Sequence, residues 1–227
     1  MPELDFEKGE ILNINKPIGW TSFDVVKKVR NHIRVKVGHA GTLDPFAAGV
    51  LLLCTGRATK QVPRLMALEK EYVAQLELGV VTDTLDPTGQ VVVRRQVPQL
   101  NATQIEQICQ GFTGEIEQVP PMFSAVKVNG RRLYELARKG KTIERQPRKV
   151  TIYELELLDL ESPFLTVRVV CSKGTYIRSL ASDLGEALGC GAYVKALTRT
   201  RIGPYRLEEA WTVEGFIREI SKQSVLA

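Results

Sequence analysis

One stretch of this chain joins a polar, glycine-punctuated loop to a continuous apolar run, and it constrains the fold more than any other stretch. It comprises residues 38–60, with the sequence GHAGTLDPFAAGVLLLCTGRATK. The apolar run, residues 49–54, predicts a buried strand. A loop that is anchored to a buried strand can hold one reactive side chain rigidly at a surface. The only acid in this stretch is Asp44.

Two interpretations of Asp44 stay open on local sequence alone. Asp44-Pro45 can form a turn, because the carboxylate accepts backbone hydrogen bonds and proline presets the backbone. Alternatively Asp44 is a catalytic carboxylate, and His39 lies five residues before it. The tetrapeptide Thr-Leu-Asp-Pro occurs twice, at residues 42–45 and 84–87, so it decides nothing by itself. Only the first copy leads into an apolar run, whereas the second is typical of a hairpin connection.

The composition is that of a soluble globular protein. The chain has 227 residues, of which 44% are hydrophobic and 25% are charged, so it can bury a sizeable core. Its first ten residues, MPELDFEKGE, are acidic and polar and do not form a signal peptide. No apolar run approaches the roughly 20 residues that span a bilayer. We therefore expect a cytoplasmic protein.

The sequence contains no recognisable motif for a metal or a cofactor. The four cysteines, at positions 54, 109, 171 and 190, form no CxxC pair, and the two histidines have no clustered ligands beside them. Neither the GxGxxG motif of dinucleotide-binding folds nor the GxxxxGKS or GxxxxGKT motif of P-loops is present. We predict chemistry that needs neither a metal nor a cofactor.

The net charge is +5, and its distribution is more informative than its size. Residues 127–149, which we call the basic arm, contain nine Lys or Arg and two Glu, a net +7. A second cluster consists of Lys27, Lys28, Arg30, Arg34 and Lys36, and a third of Lys195, Arg199, Arg201 and Arg206. Three clusters almost without acids favour a polyanionic partner such as nucleic acid.

The order of the predicted elements favours an α+β fold. Strands are predicted over residues 9–15, 49–55, 72–78, 90–94, 114–119, 124–129, 149–160, 164–171 and 193–202. One helix is predicted to begin at the capping box of residues 21–24. Further helices are predicted over residues 58–66, 103–112, 131–139, 175–188 and 212–222. Strands outnumber helices and hairpin-like turns recur. We expect a mixed, mainly antiparallel central sheet flanked by helices, with the basic arm protruding from it.

Ordered motifs between residue 11 and about residue 205 resemble the TruB family of bacterial tRNA pseudouridine synthases. They are Asn15-Lys16-Pro17, Gly38-His39, Leu43-Asp44-Pro45, Gly49-Val50-Leu51, Lys70-Glu71-Tyr72, Thr82-Asp83-Thr84, Pro120-Pro121, the block from Cys171 to Leu180, and Leu197, Arg199 and Gly203. The resemblance implies the pseudouridine synthase fold, as a single catalytic domain over residues 1–227 into which the basic arm is inserted. Family members commonly carry a small C-terminal RNA-binding domain, often of the PUA kind, and we expect that domain to be absent.

The resemblance implies isomerisation of uridine to pseudouridine at position 55, in the T-loop of tRNA. The base is flipped out, detached from its sugar, rotated and rejoined through carbon, which needs one carboxylate and no cofactor. Asp44 would be this carboxylate, as nucleophile or as base. Arg178 would pair with it and lower its pKa, by about 1–3 for such a pair. Tyr72 would stack on the target uracil.

Further positions take roles from the same resemblance. His39 would contact the opened T-loop and fill the gap left by the flipped base, and Tyr176 and Leu197 would line the uridine pocket. The arm residues that would bind RNA phosphates are Arg131, Arg132, Lys139 and Lys141. The second Thr-Leu-Asp-Pro copy, with Asp86, is assigned to structure.

Each assignment has a simpler structural alternative. Without the resemblance, Arg178 would be a surface charge on a helix, His39 a turn residue bonded to backbone, and Tyr72 a core residue of a strand. Helix periodicity assigns Tyr176 to the core, and both descriptions hold if its ring packs inward while its edge meets the substrate. The basic arm would then be a solvated face.

Rival functions remain for the whole chain. One is an RNA-binding, chaperone-like module that keeps the fold, and another is a guide-RNA-dependent synthase like eukaryotic and archaeal relatives. A third is a phosphoryl-transfer enzyme with an aspartyl nucleophile. This sequence, however, lacks the metal-binding acids and the phosphate cradle that such chemistry needs. We expect a monomer that acts on the T-arm of tRNA, with no membrane and no protein partner.

Overall fold

The computed structural model describes residues 4–124, 126–128, 130–137 and 139–226, without the side chains of Lys127, Arg132 and residues 223–226. The fold class is α+β, with a large, mainly antiparallel sheet flanked by helices, as predicted. The chain divides into two compact units, one of Met1–Tyr72 with Thr198–Ala227 and the other of Val73–Leu197. No helix in the described part of the chain is long and apolar enough to cross a membrane.

The elements follow the predicted order closely. The strands are β1 (Ile11–Lys16), β2 (Val37–Ala40), β3 (Ala48–Thr55), β4 (Lys70–Leu78), β5 (Val80–Thr82), β6 (Val91–Arg94), β7 (Gly114–Gln118), β8 (Lys127–Val128), β9 (Arg131–Arg132), β10 (Arg148–Glu161), β11 (Phe164–Cys171), β12 (Ala192–Ile202), β13 (Tyr205–Arg206) and β14 (Trp211–Thr212). The α-helices are α1 (Ser22–Ile33), α2 (Val62–Ala67), α3 (Ala102–Gly111), α4 (Leu133–Ala137), α5 (Ile177–Ala187) and α6 (Val213–Leu226), with 3₁₀ turns at Gly56–Gln61 and Leu207–Glu209.

Strand β3 is the centre of the first unit. It pairs with β1 and β2 in antiparallel fashion and with the end of β12 in parallel, where Thr198 lies opposite Ala48. Seven of its eight residues are buried, as the apolar run predicted. Its alternate side chains enter two core clusters, one formed with β1, α1 and α6 and the other with α2.

Helix α1 begins at the predicted capping box. Thr21 accepts a hydrogen bond from the Asp24 backbone N–H, and the Asp24 carboxylate accepts one from the Thr21 N–H. The buried stripe of α1 is centred on Val25 and Val26. This stripe turns Phe23 toward solvent, and its side chain is 59% exposed.

In the second unit, β10 lies between β7 and β11, antiparallel to both. The strands predicted at residues 114–119 and 124–129 have separate partners, because β7 pairs with β10 and β8 forms a short hairpin with β9. Strands β5 and β6 form the hairpin predicted around the second Thr-Leu-Asp-Pro copy. Helix α4 follows β9 within the basic arm and is shorter than predicted.

Candidate active site

Asp44 lies on the loop of residues 41–47, between β2 and β3. The Ala47 N–H donates to the Asp44 carbonyl over 3.1 Å, so the turn interpretation is correct for the backbone. The Leu43 N–H donates to Ser22 Oγ over 2.9 Å, and the Ser22 hydroxyl is 3.3 Å from the Leu43 carbonyl oxygen. Because Ser22 is the first residue of α1, these contacts fix the loop to the start of that helix. The Asp44 side chain is half-buried.

A fully buried lysine, Lys16, lies beside this loop. Its ammonium donates to the carbonyl oxygens of Trp20, over 2.7 Å, and Pro17, over 2.9 Å, and lies 3.5 Å from that of Pro45. Burial lowers the pKa of Lys16 to about 8, while the charge of Asp44 acts in the opposite direction. The lysine is therefore protonated at neutral pH and places a positive charge near Asp44.

Arg199 on β12 closes the loop at both ends. It is 1% exposed, and its Nε donates to the Val50 carbonyl over 2.7 Å, while Nη2 donates to the Gly41 carbonyl over 2.9 Å. Gly49 allows the backbones of β3 and β12 to lie this close together, since it has a φ of +109° and a Cβ there would overlap the Arg199 backbone. The buried guanidinium thus spans the segment that carries Asp44.

Tyr72 and His39 lie around the same guanidinium. The Arg199 Cζ atom is 6.0 Å from the centroid of the Tyr72 ring, within cation–π range, and Tyr72 is 8% exposed. Burial, and secondarily the charge of Arg199, lowers the pKa of His39, so its ring is neutral at pH 7. Among the residues that the structure describes, none forms a hydrogen bond with the buried His39 Nδ1. The first unit therefore brings together Asp44, His39 and Tyr72, with Lys16 and Arg199 added.

Arg178, the second residue of α5, belongs to the second unit. It is 4% exposed, so the surface-charge alternative is wrong. Its Nη1 lies 3.2 Å from the Asp86 carboxylate and donates to the Thr84 carbonyl over 3.1 Å, and its Nη2 donates to the Phe123 carbonyl over 2.8 Å. Asp86 also accepts hydrogen bonds from the hydroxyls of Thr84 and Thr88, over 2.7 and 2.6 Å. The pairing of Arg178 with Asp44 stays a prediction.

Tyr176 and Leu197 also belong to the second unit. Tyr176 immediately precedes α5 and is half-buried, and its backbone N–H and carbonyl both bond to the side chain of Gln118, over 2.7 and 3.0 Å. Leu197 is 7% exposed on β12. The burial of both residues is consistent with the core as well as with a pocket, and their contact with uridine stays a prediction.

The three basic clusters differ in how many charges they expose. In the arm, Arg131, Lys139 and Lys141 are exposed, whereas the side chain of Arg132 lies outside the described residues. The third cluster is largely neutralised, which corrects its interpretation as a polyanion-binding surface. Lys195 pairs with Glu77 over 3.0 Å and Arg201 with Glu69 over 2.6 Å, because β4 and the residue before it supply acids that are distant in sequence.

The role of Arg199 was missed by the sequence interpretation, which counted it among surface charges. Strand alternation contained the relevant signal, since Arg199 and the buried Leu197 are two residues apart and share one face of β12. Within the described ranges, no group of three or more His, Cys, Asp or Glu side chains could hold a metal ion, and the four cysteines are buried and form no disulfide bond.

Comparison with known proteins gives concordant matches along the chain. The family model for the N-terminal domain of TruB family pseudouridylate synthases matches residues 27–177, and that for the C-terminal domain of tRNA pseudouridylate synthase B matches residues 178–224. The tRNA pseudouridine synthase B of Phocaeicola vulgatus is 46% identical over 98% of this chain and 97% of its own length. That of Bacteroides thetaiotaomicron is 47% identical, with the same coverage, and that of Clostridium kluyveri is 53% identical over 90% of this chain and 71% of its own length.

Solved structures with the same fold include a chain of a Cbf5-Nop10-Gar1 complex, with a TM-score of 0.74 and 33% identity. Another is a chain of an H/ACA RNP bound to a substrate RNA containing 2'-deoxyuridine, with a TM-score of 0.70 and 31% identity. Each match covers 94% of this chain, which spans about half of the solved chain, 54% and 53% respectively. The chain therefore belongs to the TruB family of pseudouridylate synthases.

Proposed function

We propose that this protein isomerises uridine to pseudouridine in tRNA, at position 55 of the T-loop. The observation that carries the proposal is the Asp44 loop, which is fixed to α1 by Ser22 and closed at both ends by the buried Arg199. Relatives named tRNA pseudouridine synthase B align with this chain over almost their whole length. In this proposal residues 1–227 act as one catalytic domain, as a monomer in the cytoplasm and without a protein partner.

Asp44 is the reacting carboxylate. The reaction breaks the bond between N1 of uracil and C1′ of ribose and forms a bond from C5 to C1′, while the C5 proton is lost and N1 gains one. Asp44 assists by attacking the sugar as a nucleophile or by taking a proton as a base. Both roles need the ionised carboxylate, which the nearby ammonium of Lys16 favours. The resemblance adds Arg178 as a second cation that pairs with Asp44.

Tyr72 and His39 accommodate the flipped nucleotide. Stacking of uracil on the Tyr72 ring stabilises the complex by roughly 1–3 kcal/mol, which offsets part of the few kcal/mol that unstacking costs. The Tyr72 ring is already held by the Arg199 guanidinium. His39 is neutral, and its Nδ1 has no partner in the described part of the protein, so it is suited to a hydrogen bond with the opened T-loop. By the resemblance to the family, Tyr176 and Leu197 would line the uridine pocket.

The basic arm positions the T-arm. Its exposed cations contact phosphates, which supply affinity and orientation, while the shape of the loop supplies specificity. The residues proposed for this role are Arg131, Arg132, Lys139 and Lys141.

The test of the reaction uses purified protein, unmodified tRNA transcript and no added metal or cofactor. We expect pseudouridine at position 55, detected by mapping of the modified nucleotide. Asp44→Asn should lose nearly all turnover while it still binds the tRNA. The matched control is Asp159→Asn, which removes an exposed acid of β10 and should keep wild-type turnover. Equal product from Asp44→Asn and wild type would refute the role of Asp44.

The same assay separates the rival functions. A guide-RNA-dependent synthase would form no product from tRNA and protein alone, and a purely chaperone-like module would accelerate tRNA folding without forming pseudouridine. The phosphoryl-transfer alternative predicts turnover of a phosphorylated substrate and none of uridine.

A further inference from the structure

Helix α1 is rigidly attached to the Asp44 loop. Beyond the contacts of Ser22 with Leu43, the Gly19 N–H donates to the Pro45 carbonyl over 2.7 Å. On its inner side the helix buries Val25, Val26 and Val29 in the core cluster that also contains residues of β1, β3 and α6. A ligand bound to the outer face of α1 therefore has a fixed position relative to Asp44.

The outer face of α1 is basic. Lys27, Lys28 and Arg30 are exposed on the helix, and Arg34 and Lys36 are exposed just beyond its end. Within the described residues, none of these five side chains forms an ion pair. This distinguishes the cluster from the one on β12 and β13, whose charges are mostly paired. Unpaired cations on a rigid helix form a favourable surface for phosphates.

An open groove of about 440 Å³ runs along the start of this face. It is lined by Gly19, Trp20, Asp24, Lys27, Lys28 and Asn31. The only acid in this lining, Asp24, accepts hydrogen bonds from the backbone N–H and the hydroxyl of Thr21, over 2.8 and 2.6 Å. The remaining polar groups of the groove are two ammonium groups and one amide, beside an indole ring that is half-buried.

We propose that this groove and the basic face of α1 bind the RNA substrate outside the nucleotide that enters the Asp44 site. The inference rests on the proposed function, since it assigns a second contact to the same RNA. One nucleotide occupies the groove, with its base against Trp20, its phosphates at Lys27 and Lys28, and a hydrogen bond to Asn31. These side chains are suited to the contacts assigned to them, because aromatic rings stack with any base and ammonium groups bind phosphate as point charges.

The dimensions of α1 agree with RNA that continues from the Asp44 site. The helix rises by 1.5 Å per residue, so the seven steps from Lys27 to Arg34 cover about 10 Å. Phosphates along one strand of a DNA duplex are spaced by about 3.4 Å of axial rise, and at a similar spacing the basic face follows about three nucleotides. Because α1 starts at the loop, the RNA contacts Lys27 and Lys28 first and Arg34 and Lys36 farther away.

The first experiment measures binding of unmodified tRNA to Lys27→Ala/Lys28→Ala as a function of salt, in the Asp44→Asn background to prevent turnover. Loss of two phosphate contacts should make the slope of log Kd against log salt shallower by about 1.4–1.8. The matched control, Arg218→Ala/Lys222→Ala, removes two exposed cations from α6 of the same unit and should leave the slope unchanged. An equal slope for both double variants overturns the proposal.

The second experiment uses the fluorescence of Trp20. The chain has two tryptophans, so Trp211→Phe leaves Trp20 alone. Addition of tRNA should quench this fluorescence with the same midpoint as binding, and Lys27→Ala/Lys28→Ala should shift the midpoint to higher tRNA concentration. Fluorescence that does not change while tRNA binds overturns the stacking contact and, with it, the nucleotide in the groove.

Failure of this inference differs from failure of the proposed function. If wild-type protein forms pseudouridine and the α1 variants bind as the control does, the second contact is wrong and the reaction stands. If wild-type protein forms none but the α1 variants lose the salt-dependent binding, the reaction is wrong and α1 is still an RNA-binding surface.

Discussion

Replacement of Arg199 by methionine should lower the turnover of the enzyme strongly while this unit still folds. Methionine keeps much of the length of the side chain but removes the donors to the Val50 and Gly41 carbonyls and the charge over the Tyr72 ring. Two hydrogen bonds from a charged group contribute about 1.5–3 kcal/mol each, so the free energy of unfolding should fall by about 3–6 kcal/mol. A typical domain has a free energy of unfolding of about 5–15 kcal/mol, so the variant should still fold at low temperature.

The expected effect on turnover is larger than that on binding. The loop of Asp44 would no longer be closed at both ends, and misplacement of a reacting group by about 1 Å can cost about 100-fold in rate. We therefore expect kcat to fall by about 100-fold with a small change in KM, measured at a temperature at which the variant is fully folded. Arg199→Lys keeps the charge but has a single donor group, and its kcat should lie between those of methionine and wild type.

Nuclear magnetic resonance of the histidine rings tests the position of Arg199 beside His39 independently of activity. The charge of Arg199 lowers the pKa of His39, so Arg199→Met should raise that pKa, whereas Arg199→Lys should change it less. The chain has only two histidines, and the ring of the other, His32, forms a hydrogen bond with the backbone carbonyl of Lys28 on α1 and serves as an internal reference. Wild-type kcat in Arg199→Met, together with an unchanged His39 pKa, would refute the reasoning.

Two further predictions follow from the same contacts. Because the pKa of Lys16 is about 8 in the folded protein and 10.5 ordinarily, its positive charge beside Asp44 is lost as pH rises through 8, so kcat should decline there. The unfolded chain binds more protons at Lys16 between pH 8 and 10.5, so this group makes stability rise over that window; a decline in kcat that follows thermal unfolding would contradict the assignment. Gly49→Ala should sharply lower the melting temperature, because its Cβ would overlap the Arg199 backbone at a φ of +109°. Gly111→Ala, which meets no atom within 4 Å in α3, should raise the melting temperature slightly, and equal changes in the two variants would refute the close approach.

Local patterns predicted individual elements well where one signal dominated. The capping box at Thr21 placed the start of α1, and the apolar run 49–54 placed β3. Where two local signals competed, the sequence could not decide. Helix α3 is capped by Asn101 with Gln104 rather than by Thr103 with Glu106, and both pairs fit the same pattern two residues apart.

Interactions between distant segments could not be predicted from local patterns. The partner of β7 is β10, 30 to 38 residues away, and nothing within residues 114–129 indicates this pairing. Likewise the acids that neutralise Lys195 and Arg201, Glu77 and Glu69, come from β4 and the residue before it. The resemblance to a family grouped the candidate residues, and strand alternation could indicate that Arg199 is buried, but only the three-dimensional contacts show that it bonds to the Val50 and Gly41 carbonyls.

The two Thr-Leu-Asp-Pro copies show why neighbouring groups, rather than the tetrapeptide, determine what an acid can do. Asp86 is 5% exposed, and its carboxylate is engaged by the guanidinium of Arg178 and by Thr84 and Thr88. A carboxylate whose oxygens are so occupied is a poor nucleophile and a poor base, because reaction would break the hydrogen bonds that stabilise its charge. Asp44 is half-buried on a loop whose backbone is held by Ser22 and Arg199, so contacts other than those of its carboxylate also fix its position. A fixed backbone with an accessible side chain is the arrangement that a reacting group needs.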